Sequence, residues 1–168
     1  STQLKGAVPQ YVVVDGEVYG SCALLAGIAD FTFFMNKSVL AVNSPFVLSA
    51  KSGKNVAKEE VGGAKALNKT GVPSFKVESY ADVRANIIAI SEFIDMPMID
   101  AELNDAIPVL NDTVNADTIM SVFENPMEVC ASYEPEVKTV LGRIGGIAVA
   151  SVIFDGGEEG VELNASKL

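Results

Sequence analysis

Histidine and tryptophan are absent from this sequence, and cysteine occurs only twice, as Cys22 and Cys130. Without histidine, a Cys/His zinc site, a Ser-His-Asp triad and a Cys-His pair built within this chain are all excluded. The two cysteines have no second cysteine near them in sequence. With no secretory signal in view, they read as two reduced, buried thiols of a cytoplasmic protein. No apolar run reaches the roughly 18 residues that a membrane span requires. The opening Ser-Thr-Gln-Leu-Lys resembles neither a signal nor a transit peptide.

Basic residues are scarce too: 12 Lys and Arg stand against 22 Asp and Glu, a formal net charge of −10. Nucleic acid is therefore not expected as a partner, because phosphate neutralisation needs clustered cations. What is present is an ordinary globular composition, 49% hydrophobic and 20% charged, over a length of 168 residues that suits one domain or a little more.

Short apolar segments alternate with helical ones. Val8 to Val14 is β-branched and aromatic and ends at Asp15-Gly16, a strand and its turn; Phe31–Met35 and Val39–Asn43 read as two further strands, the last punctuated by Ser44-Pro45. Ser21 to Ala29, small and apolar on every side, predicts a helix buried all round. Val56 to Asn68 predicts a second helix, stopped by Gly71. The clearest helix runs from Ser79 to Met96, with Tyr80, Val83, Ile87, Ile90 and Phe93 or Ile94 at spacings of three and four and a Ser79/Asp82 capping box. Residues 95–116, with two prolines and several Asp and Asn, read as a linker. A short helix follows near Asp117 to Phe123. Thr139–Arg143 and Ile147–Phe154 then flank Ile144-Gly145-Gly146, a hairpin signal, and a new helix begins at Asn164. Strands and helices alternating at this density predict an α/β fold.

Adjacent acids, Glu59-Glu60 and Glu158-Glu159, point apart on a helix or strand and read as solvated faces. More unusual is that Lys51, Lys54, Lys58, Lys65 and Lys69 stand together against only Glu59 and Glu60. Beside Gly53 and Gly62-Gly63, such a segment can bind the phosphates of a nucleotide-like ligand; the alternative is a lysine-rich helix face. Neither G-x-x-x-x-G-K-[ST] nor G-x-G-x-x-G occurs. Gly20-Ser21-Cys22-Ala23 lies between an apolar strand and an apolar helix. There, backbone N–H groups can stabilise a developing oxyanion, or the helix is simply a tightly packed core element.

The order of these pieces resembles the carboxyltransferase subunits of biotin-dependent acyl-CoA carboxylases and decarboxylases. In that family G-x-C-A-G-G-A opens a helix ending in T-D-F. An E-E-L-G-G-A segment follows, then S-G-V before a helix, and a G-R-x-G-G-x-x-V-G hairpin opens the second domain. Here Gly20–Ala23, Asp30-Phe31, Val61-Gly62-Gly63-Ala64 and Gly142-Arg143-Ile144-Gly145-Gly146 occupy those places in the same order. The G-G-A after G-x-C-A is missing: Cys22-Ala23 runs into Leu24-Leu25-Ala26-Gly27, and the segment before Asp30 is four residues shorter.

The resemblance implies an α/β fold of the crotonase-like ββα-spiral kind, incomplete over this length and followed by the first strands of a second similar domain. Residues 1–96 would be the later part of the N-terminal carboxyltransferase domain, 97–116 a linker and 117–168 the start of the C-terminal domain. It implies acyl-CoA as substrate (acetyl-, propionyl- or methylmalonyl-CoA), biotin carried on a partner, a biotin carboxyl carrier protein, and a homo-oligomer, trimeric or hexameric. The backbone of Cys22, Ala23 and Leu24 would form the oxyanion hole. Gly20, Ser21, Lys51, Lys54, Lys58, Gly62 and Gly63 would bind substrate, with no metal in this chain and no membrane insertion. The missing G-G-A leaves a second reading open, a degenerate CoA-binding or assembly subunit without turnover. An unrelated α/β domain is a third.

Overall fold

The computed structural model describes residues 2–94, 115–133 and 135–154. The end of the helix expected at Met96, most of the linker expected at 97–116, Glu158-Glu159 and the helix expected at Asn164 lie outside the described residues. The chain divides into two compact units, Ser1–Ile87 and Ile88–Leu168.

The first unit is built on a parallel sheet of three strands in the order β1 (Tyr11–Val14), β3 (Phe31–Met35), β5 (Phe75–Val77). The central strand, Phe-Thr-Phe-Phe-Met, is apolar almost without alternation, as a strand covered on both faces must be, and Phe33 and Phe34 are fully buried. On one face Tyr11, Phe31, Phe33 and Phe75 stack with ring centroids 5.3–6.4 Å apart. On the other, Phe34 joins Val14, Ala23, Ala26, Leu40 and Leu67 in the main core. The buried hydroxyls of Thr32 and Ser38 are paired. Thr32 Oγ1 donates to the Ala26 carbonyl, and Ser38 Oγ donates to the Val14 carbonyl while accepting from the Gly16 N–H.

A second sheet pairs β2 (Glu17–Tyr19) with β4 (Val39–Ala41), also parallel. Sequence reading finds neither β2 nor β5, because three residues are too few to display a period of two. The strands expected at Val8–Val14 and Val39–Asn43 are shorter, beginning at Tyr11 and ending at Ala41. Helix α1 (Ser21–Gly27) connects β2 to β3. The expectation that it is buried all round fails. Only Ala23 and Ala26 are buried, while Leu24 and Leu25 are more than half exposed and Cys22 is exposed. Cys130 is half-buried, so neither thiol is the core thiol expected.

Ser44-Pro45, read as punctuation, instead starts α2 (Pro45–Ser52). Ser44 is its cap, and Pro45 fills the first helical position, where a missing N–H costs nothing. The single helix expected over Val56–Asn68 is two, α3 (Lys58–Gly62) and α4 (Ala64–Leu67), broken at Gly63, whose ψ of 173° is extended.

Helix α5 (Tyr80–Ile94) spans the division at Ile87. Its capping box forms as read: Asp82 Oδ2 accepts from the Ser79 N–H at 2.9 Å and Ser79 Oγ accepts from the Asp82 N–H at 3.2 Å. Val83 and Ile90 are buried, but Tyr80 turns outward and donates its hydroxyl to Asp15 Oδ2 at 2.8 Å.

The second unit carries α6 (Ala116–Met120) and an antiparallel sheet in the order β6 (Glu124–Val129), β7 (Val137–Ile144), β8 (Ile147–Phe154). The β7–β8 hairpin turns at Gly145-Gly146, both with positive φ, the requirement of a tight two-residue turn. β6 is a further strand not read from the sequence, since Asn125-Pro126 interrupts it and its register shifts there. Ala116, Phe123, Val140 and Ile153 form this unit's core.

Candidate functional site

Gly20 sets the start of α1. Its φ of 67° and ψ of −135° suit a residue without Cβ, and its N–H reaches the Ala41 and Val42 carbonyls at 3.3 and 3.1 Å. The helix N-terminus is thereby fixed at the end of β4. The Ala23 and Leu24 N–H groups both donate to the Gly20 carbonyl, at 3.1 and 3.3 Å. Ordinary helix geometry leaves Ser21 and Cys22 as the first-turn N–H groups without a carbonyl in their own helix. Their side chains are exposed, as is that of Leu24, while Ala23 is buried. Chemically, this end offers two backbone donors beside an apolar surface.

The lysine segment is not gathered into one place. Lys51 lies in the last turn of α2, exposed beside Leu48, Ser52 and Val56, and Lys54 is exposed in the loop that follows. Lys58 starts α3 and reaches Glu17 Oε1 on β2 at 2.7 Å. That contact lowers the Glu17 carboxyl below its usual range and raises the Lys58 ammonium above its own. Tyr19 is raised first by partial burial and then by its hydrogen bond to Glu17.

Gly62 packs directly on β4, where a Cβ would sit 2.3 Å from the Leu40 carbonyl oxygen; a Cβ on Gly63 would lie 2.7 Å from the Glu59 carbonyl oxygen. Both glycines serve close backbone approach. Gly62 thus lets α3 lie on β4, and α3 and α4 line one side of a cavity of about 1120 Å³.

One wall of that cavity is the turn Asn36, Lys37 and Ser38. The other is α3, α4 and the turn after them, with Lys58, Glu59, Glu60, Gly63, Lys65 and Lys69. Of the expected binding residues, Lys58 and Gly63 line it, while Gly20, Ser21, Lys51, Lys54 and Gly62 are not among its walls. Lys37 was missed. It stands outside the lysine segment in sequence, and the packing of α3 on β4, the strand that follows its turn, brings the two together. Among the described residues no group of three or more Cys, Asp or Glu side chains is placed to hold a metal ion. No helix there is long and apolar enough to cross a membrane.

No family model matches the chain. Two curated proteins do. It is 27% identical to methylmalonyl-CoA decarboxylase subunit alpha of Veillonella parvula, over 90% of this chain and 34% of that protein. It is 26% identical to the methylmalonyl-CoA carboxyltransferase 12S subunit of Propionibacterium freudenreichii subsp. shermanii, over 90% and 33%. Among solved structures, a transcarboxylase 12S hexamer with methylmalonyl-coenzyme A and methylmalonic acid bound superposes with a TM-score of 0.73, at 22% identity over 91% of this chain and 34% of that one. A single-chain, multi-domain long-chain acyl-CoA carboxylase gives 0.69 at 16% identity, over 91% and 17%. The chain thus spans about a third of the curated relatives it matches. Over that span it is similar in sequence to carboxyltransferase subunits of the methylmalonyl-CoA decarboxylase alpha and transcarboxylase 12S type, and it shares the α/β fold of the transcarboxylase 12S and acyl-CoA carboxylase structures.

Proposed function

We propose that this chain belongs to a carboxyltransferase component that moves a carboxyl group between carboxybiotin and the α-carbon of an acyl-CoA. The observation that carries the reading is kinship across 90% of the chain with two proteins whose names both specify methylmalonyl-CoA. The α1 terminus fits it. The Ser21 and Cys22 N–H groups, fixed by Gly20 on β4, would hold the thioester oxygen as negative charge develops on it. Leu24 would lie along the acyl group. Lys51, Lys54, Lys58, Gly62 and Gly63 remain the proposed contacts of the rest of the coenzyme. Residues 1–96, 97–116 and 117–168 are assigned to the later N-terminal domain, a linker and the start of the C-terminal domain.

Biotin enters this reading as cargo of a carrier protein and supplies the carboxyl group when bound. The partners proposed are that carrier and further copies of the chain, in a trimer or hexamer, and the compartment is the cytoplasm.

The test is titration of methylmalonyl-CoA and propionyl-CoA into the purified chain, with carboxyl transfer to free biotin followed alongside. Saturable binding with transfer is expected; absence of binding overturns the proposal. A second reading, a CoA-binding or assembly subunit without turnover, is favoured by the missing G-G-A and by the engagement of the Ala23 and Leu24 N–H groups with Gly20. Binding without transfer would select it.

A further inference from the structure

Of the two edges of the second unit's antiparallel sheet, one is guarded and the other is open. Edge strand β6 carries Glu124, Pro126 and Glu128, and its register shifts between Glu124 and Met127. Charged side chains, a proline and a bulge are the devices that stop an edge from pairing with another chain. The opposite edge, β8, reads Ile-Ala-Val-Ala-Ser-Val-Ile-Phe over eight residues, with no charge, no proline and no break in its register with β7. Ile147, Val152 and Phe154 on it are exposed. Among the described residues no backbone hydrogen bond reaches this strand except from β7. The strands of the first unit that end a sheet are three or four residues long, too short to serve as templates.

The hairpin fixes which groups of β8 are free. Gly145-Gly146 is a two-residue turn between Ile144 and Ile147, so Ile147 and every second residue after it exchange hydrogen bonds with β7. Ala148, Ala150, Val152 and Phe154 therefore turn their N–H and C=O groups to the open side. Their side chains stand on the face opposite to Val149 and Ile153, which pack into the core of this unit.

We propose that β8 pairs antiparallel with β8 of a second copy of this chain, about a two-fold axis at Ser151, so that the two sheets become one. A single register engages all four open residues on both strands. It sets Ala148 opposite Phe154 and Ala150 opposite Val152, with Ser151 facing its own copy, and it forms about eight backbone hydrogen bonds. On the outer face each large side chain then meets an alanine, while Val149 lies opposite Ile153 on the core side. Charge favours a second copy as the occupant. Two chains that each carry −10 repel one another, and they repel least where neither presents a charged side chain, as along β8. An isologous contact closes on itself, so the pairing stops at two strands and doubles whatever assembly other surfaces build. It does not rest on the acyl-CoA reading.

The test combines cysteine cross-linking with sedimentation. In this register Ser151 and its copy form a pair without mutual hydrogen bonds, Cα atoms about 4.5 Å apart, within reach of a disulfide. Ser151→Cys is expected to give a cross-linked pair of chains under mild oxidation. Because Cys22 and Cys130 are free as well, the bridge is located at position 151 by mass spectrometry. Val149→Cys, on the same face but about 14 Å from its own copy, should give none. Ala150→Pro removes an outward N–H and leaves the bonds to β7 in place. It should halve the mass of the particle, with circular dichroism unchanged.

A Ser151→Cys chain that does not cross-link at position 151 overturns the inference, and so do bridges formed equally at 149 and 151, which mark unspecific association. A parent particle with an odd number of chains, or one whose mass Ala150→Pro leaves unchanged, overturns it too. If the Ser151→Cys thiol then also resists alkylation, the edge is covered from within the chain. Should Ala150→Pro fail to fold, the two cysteine variants decide alone.

Discussion

At the scale of single residues, Gly62 is the position with least freedom. A Cβ there would stand 2.3 Å from a backbone oxygen of β4, and backbone cannot swing aside as a side chain can. Gly62→Ala should therefore destabilise the first unit by about 1–3 kcal/mol, read as a lower urea midpoint. Gly27→Ala, with nothing within 4 Å of the added carbon, is the control and should be neutral or slightly stabilising. Equal effects at the two sites would refute the close approach. The Glu17–Lys58 pair makes a prediction in pH. Glu17 is lowered, so its contribution is present above its unfolded pKa and disappears as pH falls through the folded value. Lys58 is raised, so its contribution is present below its unfolded pKa and disappears as pH rises through the folded value. The stability difference between the parent chain and Glu17→Gln should thus be widest across the neutral range and close in both acid and strong alkali. The contact is exposed, so the difference should also shrink in salt.

At the scale of elements, caps decide where helices begin, and packing decides where they break. Ser79 and Asp82 exchange hydrogen bonds at the start of α5, and the Ser79 hydroxyl and then the Ser79 N–H, both donating to Asp82 Oδ2, hold the Asp82 carboxyl below its usual range. Ser79→Ala should cost about 1 kcal/mol, measured by thermal denaturation. Ser79→Thr, which keeps the hydroxyl, should recover most of it, and no loss in the alanine variant would mean that α5 is positioned without its cap. The break between α3 and α4 has another origin. The residues from Lys58 to Leu67 are good helix formers apart from Gly62-Gly63, and one continuous helix is what their composition predicts. The break at Gly63 accompanies the approach of Gly62 to β4, a contact outside the segment itself.

At the scale of the whole molecule, the first unit leaves apolar side chains outside. Leu24 and Leu25 of α1, Val42 after β4, and Phe46 and Val47 of α2 are all substantially exposed, Phe46 by 82%. Soluble monomers rarely show such a patch without a partner. On the proposed trimer or hexamer, sedimentation should give a particle of three or six times 17.7 kDa per chain. Leu24→Glu with Phe46→Glu should shift it toward the single chain, with circular dichroism unchanged. A monomer in the parent chain would remove the oligomer from the proposal.

Much of this protein was legible residue by residue. The central strand Phe31–Met35, the capping box of α5 and the Gly145-Gly146 hairpin each announce themselves within a few neighbouring residues, because β-branching, capping hydrogen bonds and positive φ are local demands. The order of glycine motifs pointed to the carboxyltransferase kinship for a related reason: Gly62 marks an approach to backbone that leaves no room for a Cβ and Gly142 a tight one against Phe123, so the constraint is written at the residue itself. What lay beyond the sequence was everything set by a distant partner. The three-residue strands β2 and β5 exist only through their parallel neighbours. The outward face of α1 and the exposed Cys22 follow from where the sheet ends. The cavity joins Lys37 to Lys65 and Lys69 because Gly62 lets α3 lie on β4, and charges separated along the chain converge only once that packing is made.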